Sequence, residues 1–168
     1  MHILTLVLRF IHVFGGAFWF GSAIMMGFFV SPAVAAIPEA GQKFMGHLVL
    51  KGRIHKVIAT TAGLTVLAGA GLYWIDSDGF TSAWTRSGPG SLFGIGGLFG
   101  LIGFIFGMMV GKNIGILANI GAQVQGKPTD DQMSRIQAAQ KQLGYAGPIS
   151  SVSLIIAVAL MSVARFWF

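Results

Sequence analysis

The chain has 168 residues, 54% of them hydrophobic and only 10% charged, with a mean hydropathy of +0.76. A soluble domain carries about 25% charged residues, so these few charges cannot cover a water-facing surface; the composition specifies an integral membrane protein of one domain. The absence of cysteine removes disulfides, thiolate metal sites, iron–sulfur clusters and cysteine nucleophiles together.

Four apolar stretches, about 3–30, 54–75, 91–118 and 148–168, each reach the roughly 20 residues a helix needs to cross about 30 Å of hydrocarbon. They predict an all-α, four-helix membrane bundle, a single transmembrane domain over 1–168. The first stretch is expected to be a retained helix. Ala33-Val34-Ala35 offers a signal-cleavage match, but the apolar run is too long for a signal peptide and no Lys or Arg precedes Arg9.

At 100° per residue, Thr5, Arg9, His12, Gly16, Trp19, Ala23 and Gly27 fall within about 80° of one another, the expected bundle-facing stripe. His12 stands roughly 14 Å into the helix from Ile3 and is too deep to snorkel; an ionisable residue there is a functional hypothesis by default. Three roles compete. As an axial heme ligand, it would have Gly15 and Gly16 leaving room for a flat porphyrin and Arg9 facing a propionate. As a structural group, it would hydrogen-bond across the bundle to a Ser, a Thr or a carbonyl. A proton relay would need carboxylates, and no span contains Asp or Glu.

Residues 38–50 predict an interfacial helix with Phe44, Met45, Leu48 and Val49 facing inward. It leads into a basic cluster, Lys51, Arg53, His55 and Lys56, read as an anchor on anionic lipid heads. His55 opens the second span on the order of 15 Å from the depth of His12. The two cannot share one metal, whose imidazole nitrogens would sit about 4 Å apart. Asp76-Ser77-Asp78-Gly79 reads as a turn.

In the third span Gly96, Gly100, Gly103, Gly107, Gly111 and Gly115 keep to a stripe of about 120°. Such small-residue steps let helix backbones approach. Packing against the first span is expected, with a homo-oligomer contact or a flat cofactor as alternatives; Lys112 should snorkel. Thr129-Asp130-Asp131-Gln132 matches a capping box. It predicts a second interfacial helix over 130–143, stopped by Gly144 and Gly147-Pro148. In the fourth span, Met161 lies near the depth of His12 and is the candidate second axial ligand.

Eleven Lys and Arg against five Asp and Glu give a net charge of +6, and its distribution is lopsided. Lys43, Lys51, Arg53, Lys56, Lys112, Lys127, Arg135 and Lys141 fall on one side of the four spans, against Arg86 and Arg165 on the other. The charge is thus an orientation signal, not a nucleic-acid footprint. The positive-inside rule places the basic side in the cytoplasm and both termini outside, with Trp74, Trp84 and Trp167 in an outer aromatic belt.

The run His12-x6-Trp19-Phe20-Gly21 resembles the first-helix pattern of CopD-like membrane proteins and of HemJ-type protoporphyrinogen oxidases. Arg53, Thr60-Thr61 and Leu64-Thr65-Val66-Leu67-Ala68-Gly69 are similar to their second helix, so the resemblance covers about the first 75 residues. It implies a four- or five-helix bundle in which the residue matching His12 is a b-type heme ligand or metal-linked. The HemJ-like lysine near the start of the third helix is not matched. Ser87-Gly88-Pro89-Gly90-Ser91 stands there and Lys112 lies at the other end, so the oxidase reaction is not carried over. The expected function is a small cell-membrane protein binding heme b through His12, with Arg9, Gly16, Trp19 and Met161 around it, acting in electron transfer or as a subunit of a membrane redox complex. The alternatives are a cofactor-free accessory subunit and a CopD-like carrier of copper or another small solute. Expected partners are the lipid bilayer and a homo-oligomer or larger membrane redox complex, with no nucleic acid.

Overall fold

The computed structural model describes residues 2–124 and 126–167, and these are helical with short turns and no strands. In chain order come α1 (His2–Ile24), a π-helical stretch (Met25–Val30), α2 (Ser31–Ala36), α3 (Pro38–Leu50), α4 (Ile54–Asp76), α5 (Gly88–Gln123) and α6 (Asp130–Val163). Single 3-10 turns cover Ala83–Arg86 and Ala164–Phe166. Four helical stretches are long and apolar enough to cross a membrane: His2–Ala36, Ile54–Asp76, Gly88–Gln123 and Asp130–Phe166.

Local chemistry sets most helix ends. The Ser87 hydroxyl accepts from the Gly90 N–H at 3.2 Å, and Pro89 occupies the first turn of α5, where a missing N–H costs nothing. Thr129 and Gln132 form the expected reciprocal box at the start of α6. Ile37, before Pro38, is barred from helical geometry and breaks α2 from α3 at φ −128° and ψ 70°. Gly52 and Arg53, the latter left-handed at φ 51°, turn α3 into α4. His47 and His55 therefore stand on separate helices.

Two elements differ from the sequence reading. The first span, read as 3–30, continues past Val30 to Ala36, the Ser31 N–H bonding back to the Met26 carbonyl in π register. More consequentially, α6 runs unbroken from Asp130 to Val163, replacing the separate helix over 130–143. Pro148 cannot donate to the Gly144 carbonyl and its ring crowds that same carbonyl, but Gly144 has no side chain to add to the crowding. Packing then overrides the local stop. Ala139, Ala146, Ser150, Ser151, Ser153, Leu154 and Ala157 are all buried. Gln142 accepts from Asn113 of α5 at 2.9 Å.

With 36 residues, α5 is about 54 Å long, well over the roughly 30 Å of hydrocarbon. Its far half and the first half of α6 therefore form a hairpin at the end of the bundle that also carries the α3–α4 turn. This is the basic end. There α3 packs on α2 and α5, burying Val49 and half-burying Met45 and Leu48. Phe44, expected to face inward, is 54% exposed, so α3 presents a narrower apolar edge than its composition suggested.

The longest helix interface is α5 with α6, followed by α1 with α4 and then α4 with α5. All four spans meet at Trp19. Its ring lies with Ala62 of α4 and Leu154 of α6 and stands edge-on to Phe104 of α5, centroids 6.2 Å apart. At the opposite end the loop between α4 and α5 folds onto the helices. Buried Ser77 donates to the Trp74 carbonyl and accepts from the Phe80 N–H, and Tyr73 donates to the Gly90 carbonyl at 3.2 Å.

Candidate functional site

His12 meets α4 at mid-span. Its Nδ1 lies 2.8 Å from the Thr65 carbonyl oxygen, which accepts the ring N–H. The contact depends on Gly69, where a Cβ would fall 2.6 Å from the imidazole Cε1 and 2.7 Å from Nδ1. The Thr65 hydroxyl in turn donates to the Thr61 carbonyl at 2.9 Å, and it faces Gly15, where a Cβ would come within 2.6 Å of it. Glycines on both helices thus bring main chain and side chain together, and the imidazole takes a carbonyl as partner.

The other members of the expected site are dispersed. Arg9 is exposed and makes no hydrogen bond or ion pair among the described residues. Gly16 is in ordinary contact with the Thr65 methyl, 3.5 Å from its Cβ position, and Trp19 is core at 5% exposure. Met161 packs over Gly96 of α5. The face of α1 against α4 follows Leu8, which touches Gly71, then His12, Gly15 and Trp19. At 100° per residue that line is centred roughly 50° from the stripe read in the sequence, and Arg9 falls outside it. Thr61, Thr65 and Gly69, spaced by four, were the signal for the true partner face.

A porphyrin needs an open plane beside an imidazole nitrogen. Here the α4 side of the His12 ring lies on Gly69, the space beside Gly15 is filled by Thr61 and Thr65, and Met161 is engaged elsewhere. On its α4 side the imidazole is thus packed against main chain and side chains. No three His, Asp or Glu side chains among the described residues are grouped closely enough to hold a metal ion.

The glycine stripe of α5 packs against α6, not against the first span as expected. Gly96 meets Met161 and Ala157, Gly103 meets Leu154 and the Ser150 carbonyl, and Gly107 meets the Ser150 hydroxyl. That hydroxyl donates to the Gly103 carbonyl at 2.9 Å. Gly100, Gly111 and Gly115 have nothing within 4 Å of a Cβ. The last two border a groove of about 420 Å³ between α4 and α5 at the basic end, with His55, Lys56, Lys112 and Asn119 on its walls. Of the basic cluster, His55 and Lys56 reach this groove; Lys51 and Arg53, both exposed in the α3–α4 turn, are not among its lining residues.

Comparisons with protein-family models, curated proteins and solved structures give no match to this chain.

Proposed function

We propose that this chain is a cofactor-free, non-catalytic subunit of a membrane assembly, crossing the cell membrane four times with its basic end in the cytoplasm and both termini outside. One observation carries the reading. The ionisable side chain deepest in the bundle, His12, has its Nδ1 committed to the Thr65 carbonyl and its ring seated on Gly69. It serves as the donor that fastens α1 to α4, a role worth about 1 kcal/mol in a membrane. No carboxylate lies in the apolar parts of the spans, so a carboxylate relay leading away from His12 is missing. The positive-inside distribution supports the orientation.

A second reading, heme b at His12 serving electron transfer within a larger redox complex, draws on the tautomer. In the neutral ring, donation from Nδ1 leaves Nε2 as the free lone pair, the arrangement metal-ligating histidines adopt when a carbonyl orients them. The iron would then have to sit on the lipid-facing flank of α1 or between subunits.

The visible spectrum of the detergent-purified protein, made with heme supplied and recorded oxidised and dithionite-reduced, separates the two. The subunit reading expects a colourless preparation that co-purifies with partner proteins from native membranes. A Soret band lost in His12→Ala but kept in Arg9→Ala would overturn it in favour of the heme.

A further inference from the structure

The groove between α4 and α5 is unlike the rest of the bundle surface. Gly96, Gly103 and Gly107 of α5 are covered by α6, whereas Gly111 and Gly115, like Gly100, have nothing within 4 Å, and these two border the groove. On its walls stand Lys56 from the first turn of α4 and Lys112 from α5. No carboxylate lines it, and the ion pair found among the described residues, Lys43 with Glu39, lies outside it. His55, on the same wall as Lys56, has its Nδ1 buried with no hydrogen-bond partner. The N-terminus of α4 directly beside them has no side-chain cap, so its positive dipole end adds to the two ammonium groups.

Depth identifies the occupant. With the hydrocarbon counted from the start of α5 at Gly88, Lys112 is 24 residues on, about 36 Å along the helix, which carries it past an apolar layer about 30 Å thick to the depth of headgroups. Met108, one turn back along α5, lies about 6 Å closer to the membrane centre, where an acyl chain runs. An amphiphile with a phosphate at one end and hydrocarbon at the other matches both halves. The absence of a carboxylate disfavours a headgroup carrying its own ammonium, because nothing in the groove would pair with it.

We propose that this groove holds one acidic phospholipid, its headgroup seated over the open glycines Gly111 and Gly115 with the phosphate between Lys56 and Lys112, and one acyl chain running past Met108. Basic hollows between spans at the cytoplasmic side are suited to such headgroups. The site stands on its own geometry and is independent of the role of His12.

Native mass spectrometry of the full chain in detergent, with added phosphatidylglycerol or phosphatidylcholine, tests it. The expected result is one retained phosphatidylglycerol per chain, with at least tenfold preference over phosphatidylcholine. Lys56→Gln/Lys112→Gln should lose that preference, and Lys43→Gln, which removes an exposed charge elsewhere, should keep it. Gly115→Leu fills open space without changing charge and should lower lipid retention several-fold in a folded protein. Equal retention of both lipids, an equal loss in Lys43→Gln, or competition by water-soluble glycerol phosphate as strong as by the lipid would each overturn the proposal. So would a lipid-free dimer that Gly115→Leu dissociates, since a second copy would then fill the groove.

Discussion

Between α5 and α6, Gly103 brings the helices close enough for Ser150 to donate to its carbonyl at 2.9 Å; between α1 and α4, Gly69 does the same for His12 and the Thr65 carbonyl at 2.8 Å. The device is shared: a missing Cβ on one helix, a polar donor on the other and a main-chain acceptor between them. The surroundings differ. The α6 helix buries seven residues and continues the contact past the membrane through Gln142 and Asn113, whereas α1 buries only Gly15 and Trp19. In lipid, apolar side chains gain nothing from one another that they do not gain from acyl chains, so close approach and a satisfied donor decide which faces meet. The α5–α6 seam has two such polar links, Ser150 to Gly103 and Asn113 to Gln142, while between α1 and α4 the donor is His12, flanked by the close approaches at Gly15 and Gly71.

The comparison can be broken most severely at Gly103. Gly103→Leu drives a side chain into Leu154, already 2.8 Å from the Cβ position, and towards the Ser150 carbonyl. It should cost about 3 kcal/mol in an unfolding titration in mixed micelles; a loss under about 1 kcal/mol would mean the seam is loose. Next in size is a double-mutant cycle at the other seam. Gly69→Ala should cost about 2 kcal/mol by expelling the imidazole and its hydrogen bond. In a His12→Ala background the same change should cost nothing, or even stabilise α4 by up to about 1 kcal/mol through helix propensity. Additive losses would show that Gly69 does not exist to seat His12. Smallest is Gly100→Ala, on the same helix but with nothing within 4 Å. No loss is expected, and a gain of up to about 1 kcal/mol; a clear loss would reveal a partner on that face.

The parts of this architecture legible in the sequence are those set by local chemistry. Apolar length marked the four spans, because crossing hydrocarbon is a demand on composition alone. The second span, read as 54–75, is observed at Ile54–Asp76. Thr129 and Gln132 marked the start of α6, because capping uses groups three residues apart. Gly144 and Gly147-Pro148 misled for the converse reason. Their stop signal is local, and the burial of Ala139 and Ala146 against α5, which outweighs it, involves residues far away in the chain.

The candidate site shows the same division. His12 stood out as a buried ionisable group needing a partner, but a helical wheel gives a stripe of small and polar residues without saying which edge faces which helix. A rotation of roughly 50° separates a stripe running through Arg9 from the observed line through Leu8, His12 and Gly15. It also decides whether the imidazole faces a cofactor slot or a carbonyl.

The scarcity of charge and the hydrophobic composition thus determined by themselves that the chain is helical and long enough to cross a membrane four times, and the basic residues that would orient it are readable in the sequence. Only the tertiary structure decided that the glycine stripe serves α6, that Trp19 is core and that His12 is seated on Gly69. Spanning a bilayer is a property of each segment against its solvent, whereas pairing depends on the fit of two surfaces, and no single segment carries that information.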